Sequence, residues 1–438
     1  MKKKLATAVV AGLAATACMG VAPATYDPGR DIPPPPVDSP APPEPMKQNT
    51  VCATSAVIPD SQFDSIPANV AFGVDELHKF ATGAGQKVAV IDSGVTPNIR
   101  LPHLTGGGDF IMGSDGLQDC DHHGTIVAGI IGAQPATGDG FIGVAPDAEI
   151  ISIRQTSAAF TPENPRSEED TGSSLATLAK AIRRAADMGA TVINMSVTAC
   201  VPASSNADLR ELTGAMAYAA LDKDVVLVSS AGNITSACET NPSPDWESVT
   251  TISLPSYIDQ FVLSVGGTTL TADQPYVNTL PGPWVDVAAP AINIVSLDPA
   301  AGDTGGLING EVTQQGTSPL TGTSFAAAYV SGLAALIRQA HPELTANQVR
   351  NRIVNSSLSQ AESMSHLTGH GSVNALKALT GRVDDGDPLP QGIVATTAGK
   401  PAEPEQVSKI PMYVGGAIAV LAVVILGVLA LRATVRKD

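Results

Sequence analysis

The sequence predicts an α/β fold, a central, mostly parallel sheet with helices on both faces. Three observations predict it. Short runs rich in β-branched residues recur along the chain, and amphipathic helical repeats lie between them. In addition, 43% of the 438 residues are hydrophobic, enough for a core on each side of a sheet. The runs are residues 87–91 closing on Asp92, 149–153, 191–197 and 225–229. Between them, 173–188 places Leu175, Leu178, Ala181, Ile182 and Ala185 on one helical face, and 209–221 reads as a second helix. In such sheets functional groups gather beyond the carboxyl ends of the strands.

Composition removes several functions. Lys plus Arg number 25 against 42 Asp plus Glu, a formal charge of −17. A chain this acidic repels phosphate backbones, so no nucleic-acid partner is expected. Aromatic residues are only 4%, too few for platforms that stack bases or sugars. The 34 prolines and 41 glycines call for many turns and at least one irregular segment.

Both ends of the chain point to export and anchoring. Met1-Lys2-Lys3-Lys4 precedes an apolar stretch from Leu5 to about Val21, the pattern of a secretory signal peptide. Two sites fit cleavage, after Ala24 (Ala22-Pro23-Ala24) and after Ala17 (Ala15-Thr16-Ala17). We place it after Ala24; Cys18 makes lipidation the competing route, but Ala15 matches such a signal poorly. Asp31-Ile32-Pro33-Pro34-Pro35-Pro36 and the prolines through Pro45 then form an extended stretch. Near the other end, residues 412–431 are twenty without a charge. At 1.5 Å per residue they span a hydrocarbon core of about 30 Å. Arg432, Arg436 and Lys437 follow, a basic flank of the kind that stays in the cytoplasm. The expected organisation is a signal peptide (1–24), a proline-rich extension (25–50), a folded body (51–381), a linker (382–409), a transmembrane helix (410–431) and a cytoplasmic tail (432–438). The expected location is the cell membrane, single-pass, with the body outside.

Export permits disulfides. Cys18 leaves with the signal, so Cys52, Cys120, Cys200 and Cys238 remain, and four cysteines allow three pairings. Their spacing lacks the Cys-x-x-Cys pairs of a zinc site. No compact run of oxygen ligands suggests calcium. No metal and no cofactor are expected.

Four residues sit where this architecture would put chemistry. Asp92 ends a buried strand, in Val90-Ile91-Asp92-Ser93-Gly94-Val95, where a carboxylate can orient an imidazole. His123 lies in Asp121-His122-His123-Gly124-Thr125, whose small residues let a helix start at the histidine and pack closely. Asn233 follows a strand in Ser230-Ala231-Gly232-Asn233, and its amide is placed to donate to an oxyanion. Ser324, in Gly322-Thr323-Ser324-Phe325-Ala326-Ala327-Ala328, opens a long helix of small residues, at the positive end of its dipole. Alone, each is most simply a cap, a turn or a core residue. Together, in the order Asp, His, Asn, Ser, they point to acyl transfer.

The four motifs resemble those of the subtilisin-like serine proteases, whose triad runs Asp, His, Ser along the chain. The resemblance covers about residues 74–379 and implies Asp92, His123 and Ser324 as triad and Asn233 as oxyanion donor. Val192-Ile193-Asn194-Met195-Ser196 resembles the family's substrate-binding edge strand, which implies Ser196 and Val197 as substrate-binding residues. A second Gly-Thr-Ser, at Ser318, is followed by Pro319 and lacks the helix, and His122 lacks the following Gly-Thr; neither is chosen. Two departures stand out. Ala328 replaces the usual proline, and Thr198-Ala199 replaces a glycine pair, pointing to a different specificity pocket.

A narrower resemblance is to the mycosins, membrane-anchored proteases of actinobacterial type VII secretion. It rests on the signal, the proline-rich extension, Ile153-Arg154-Gln155, Ser196-Val197-Thr198-Ala199-Cys200 and the C-terminal anchor. It implies bridges Cys52 to Cys120 and Cys200 to Cys238, and an extension wrapping the catalytic domain. The implied function is a serine endopeptidase acting on protein or peptide substrates beside type VII membrane components. The alternative is a mainly structural subunit of that machinery.

Overall fold

The computed structural model describes residues 40–165, 173–242, 245–271, 274–358 and 366–390. The segments expected to be a signal peptide (1–24) and a transmembrane helix (410–431) lie outside them. Among the described residues no helix is long and apolar enough to cross a membrane.

Seven strands build the central sheet: β1 (Lys87–Asp92), β2 (Leu104–Asp109), β3 (Glu149–Arg154), β4 (Val192–Met195), β5 (Val226–Ser230), β6 (Val262–Thr268) and β7 (Val287–Pro290). Their order is β7-β6-β5-β4-β1-β3-β2, and every pairing is parallel. Chain order reverses at β1, with β3 on one side and β4 on the other, so the switch point lies at the strand that ends on Asp92.

Side chains alternate along these strands between two cores. On one face Val88, Val90, Val192, Val226 and Val228 pack with α1 (His123–Gly132) and α4 (Thr323–Ala340). On the other, Ala89, Ile91, Ile193, Met195 and Leu227 pack with α2 (Leu175–Asp187) and α3 (Arg210–Ala217). A further helix, α5 (Ala346–Ser356), follows α4 on the first face. Helix α4 is buried from Thr323 to Arg338, which suits its lack of a polar stripe.

Two expectations need correction. The segment read as an edge strand is internal: β4 lies between β1 and β5, with Val192, Ile193 and Met195 fully buried. Its apolar residues serve both cores, and only the stretch after Met195 leaves the sheet. The packed body also extends past 51–381 at both ends. Met46–Gln48 pairs antiparallel with Phe160–Pro162 before residue 51, and within the body Ser55–Ala56 pairs with Gly310–Glu311. At the other end, Asn347, Asn351 and Asn355 of α5 donate to the backbone carbonyls of Asp387, Asp385 and Asp384.

Candidate active site

Asp92, His123, Asn233 and Ser324 all lie at the carboxyl-terminal edge of the sheet. Asp92 is the last residue of β1 and is fully buried. Its Oδ1 lies 2.7 Å from Nδ1 of His123 and also accepts the Ser93 N–H at 2.7 Å. In the neutral ring this bond places the proton on Nδ1 and leaves Nε2 free to accept. The His123 side chain keeps 34% of its surface exposed, against 1% for Asp92, so the ring reaches from the protein into the cleft.

Local structure sets the approach of the two residues. His122, the residue before α1, is held at φ 66°, a left-handed backbone that turns the chain into the helix. Its own ring is engaged elsewhere, with Nδ1 2.6 Å from Ser55 Oγ. Gly124 is required by contact: a Cβ there would stand 2.0 Å from the Gly94 carbonyl oxygen. The first amides of α1 are met by Ser93, just after β1, and by the preceding loop. Gly124 N–H donates to Ser93 Oγ at 2.9 Å, and Thr125 donates through N–H (2.8 Å) and Oγ1 (2.6 Å) to Asp119. Asp119 also accepts from Ser93 Oγ at 2.8 Å. Burial pushes the Asp119 carboxyl above its ordinary pKa, outweighing these hydrogen bonds.

His123 titrates high. Burial disfavours its cation, but the Asp92 carboxylate and its hydrogen bond outweigh that, and the pKa is raised to about 9.

Ser324 is the second residue of α4, so its N–H has no helical carbonyl to pair with. Gly322 precedes the helix at φ 151°, in the region that favours glycine. The Asn233 amide oxygen accepts from Thr323 N–H at 3.1 Å and Oγ1 at 3.2 Å, which orients Nδ2 as the outward donor. That Nδ2 stands 3.5 Å from the position a Cβ on Gly322 would take. The Ser324 hydroxyl donates to the Ser196 carbonyl at 3.4 Å, and the Phe325 ring lies 5.5 Å from the His123 ring.

Ser196 directly follows β4 and is tied to Ser324, its hydroxyl donating to the Ser324 carbonyl at 2.8 Å. Val197 is half-buried against the second core. Thr198 lies beside Ser230, their hydroxyls 3.2 Å apart, and its methyl fills the flank of Gly232. Ser318 sits in a hairpin strand, Gly316–Pro319, and not at a helix start.

Cys52 is bonded to Cys120 and Cys200 to Cys238, with Cα–Cα separations of 4.7 and 5.4 Å. The first bridge joins the N-terminal segment to the loop that leads into His123. The second joins the stretch after Ser196 to the loop after Asn233. Among the described residues no cluster of His, Cys, Asp or Glu could hold a metal ion.

Sequence reading missed the supporting residues Ser93, Asp119 and Asn194. Ser93 and Asp119 carry no signal of their own, because the contact that joins them spans 26 residues of sequence. Asn194 does carry one: it is an amide inside the apolar run Val192-Ile193-Asn194-Met195.

Known proteins align with this arrangement. The Subtilase family matches residues 83–371. Mycosin-1 of Mycobacterium tuberculosis is 43% identical over 399 residues, covering 87% of each chain. Mycosin-3 of the same organism is 41% identical over 395 residues, 86% of this chain and 84% of that one. The crystal structure of MycP1 from the ESX-1 type VII secretion system superposes with a TM-score of 0.78 at 39% identity, covering 84% of this chain and 98% of that one. A chain of the intact ESX-5 inner membrane complex superposes with a TM-score of 0.77 at 38% identity, over 94% of this chain and all of that one. With an all-parallel sheet, an Asp–His pair at its switch point and these relatives, the chain belongs to the subtilases and, among them, to the mycosins, as a subtilisin-like serine protease.

Proposed function

We propose that the protein hydrolyses peptide bonds through Asp92, His123 and Ser324, outside the cytoplasmic membrane and beside type VII secretion components. The observation that carries the reading is the 2.7 Å bond from Asp92 to His123, at the edge of the sheet where α4 presents Ser324. Ser324 Oγ attacks the substrate carbonyl carbon while Nε2 of His123 takes its proton. Asp92 holds the imidazole tautomer and stabilises the imidazolium. The Ser324 N–H and Asn233 Nδ2 receive the oxyanion, the side-chain donor contributing about 3 kcal/mol. Collapse of the tetrahedral intermediate expels the amine with the proton from His123, and water repeats the sequence to release the acid. Ser196 and Val197, just beyond the sheet, are the residues we assign to the substrate. A single C-terminal helix (410–431) anchors the body.

Ser324→Ala is expected to abolish hydrolysis of a peptide library while leaving the circular-dichroism spectrum and thermal midpoint in place. Retained hydrolysis would remove Ser324 from the mechanism. A second reading, a mainly structural role in the secretion complex, is favoured by the match over 94% of the chain to a subunit within the ESX-5 inner membrane complex. The two separate in cells: secretion that survives Ser324→Ala but not deletion assigns the structural role.

A further inference from the structure

Asn194 is out of place by composition. It stands on the central strand β4, fully buried, and its three strand companions are apolar and equally buried. Burying an amide is unfavourable unless its hydrogen-bonding groups are met, and here both are. Ser331 Oγ donates to Asn194 Oδ1 at 2.9 Å, and Asn194 Nδ2 donates to Ser196 Oγ at 2.9 Å. Ser196 Oγ in turn donates to the Ser324 carbonyl at 2.8 Å. Ser331 lies two turns after Ser324 on α4, so the hydrogen bonds and the helix close a ring. Ser196 and Ser324 are 5% and 7% exposed, while Asn194 and Ser331 are fully buried.

The direction of the ring is fixed. The Ser324 carbonyl only accepts, so the single Ser196 hydroxyl hydrogen is committed to it. Ser196 Oγ must then accept from Asn194, which sets the amide with Nδ2 toward Ser196 and Oδ1 toward Ser331. Flipping the amide would take the Ser196 hydrogen away from Ser324. A buried polar ring with one consistent direction specifies one geometry more sharply than an apolar contact of the same volume.

We propose that Asn194 is a positioning residue for the reaction: through the Ser196 hydroxyl it fixes the backbone of Ser324 relative to the segment that follows β4. The proposal rests on Ser324 as nucleophile and adds what holds the nucleophile in register with the substrate segment. A nucleophile displaced by about 1 Å loses about a hundredfold in rate. Deleting the amide therefore slows acylation without altering the Asp92–His123 pair.

The test uses the full chain in detergent and a fluorophosphonate probe, whose second-order labelling rate reports how well Ser324 is aligned. Asn194→Ala and Ser196→Ala are each expected to slow labelling about tenfold to a hundredfold, with the pH midpoint of labelling unchanged. The double variant is expected to be no slower than the slower single, because both changes break one ring. Ser331→Ala leaves Asn194 bonded to Ser196 and is expected to have a smaller effect. An unchanged labelling rate in folded Asn194→Ala, or effects that multiply in the double variant, would overturn the proposal. Should Asn194→Ala fail to fold, Asn194→Leu, similar in volume but without the donor to Ser196, makes the same decision: unchanged labelling of the folded variant would overturn the proposal. Absence of label on wild-type Ser324 overturns the nucleophile assignment itself, a failure distinct from one confined to the variants.

Discussion

Helices α1 and α4, which carry the site, begin differently from α2 and α5, which support it. Helices α2 and α5 open with capping boxes, Ser174 with Thr177 and Thr345 with Gln348, so their first amides are met within a few residues of sequence. Helices α1 and α4 have no capping side chain before their first residue. Their amides are met from other segments, by Ser93 after β1 and Asp119 in the preceding loop at α1, and by Asn233 after β5 at α4. A local cap makes a helix start independent of its surroundings. A start capped from a distance is tied to other segments, and here those ties set His123 against Asp92 and Ser324 beside Asn233. Helices α2 and α5 gain stability from their caps, and α1 and α4 gain placement.

That contrast predicts variants whose effects fall on activity at one pair of helices and on stability at the other. Asp92→Asn should have the largest effect, lowering kcat about 10⁴-fold, because the imidazole loses the partner that fixes its tautomer. It should also move the pH profile. Only neutral imidazole accepts the serine proton, and the carboxylate stabilises the cation, so wild-type kcat/KM should climb with pH toward the raised pKa of about 9. Removing the carboxylate lowers that pKa, and the residual activity of the variant should rise at lower pH. A profile that fails to shift would deny the coupling. Next in size, Asn233→Ala should lower kcat about 10²- to 10³-fold with little change in KM. A pure KM effect would assign Asn233 to substrate binding. Smallest is Thr345→Ala, which should cost about 1 kcal/mol of stability, read as a lowered thermal midpoint, and leave kcat unchanged. Any loss of kcat there would blur the distinction between the two kinds of helix start.

The same contrast explains what was legible in the sequence. Local signals were readable. β1 closes on Asp92 as expected, α1 begins at His123, and the helix read at 173–188 is Leu175–Asp187 behind its Ser174 cap. Residues whose meaning depends on distant partners were not. Asp119 is one more acidic residue in sequence, and only folding brings it against Ser93, 26 residues away. The misplacement of β4 at an edge has a related cause: an apolar run states that a strand is buried, but not which neighbours bury it. The short pairings of Met46–Gln48 and Ser55–Ala56 follow a proline-rich stretch with no alternation to announce a strand, and their partners lie more than a hundred residues away.

The most direct test of the whole account is covalent capture of the nucleophile. The full chain, wild type and Ser324→Ala, would be treated with a fluorophosphonate probe and the modified peptide located by mass spectrometry. The account predicts one label, on Ser324, lost in the variant. Label on Ser318, or none on folded wild-type protein, would contradict it.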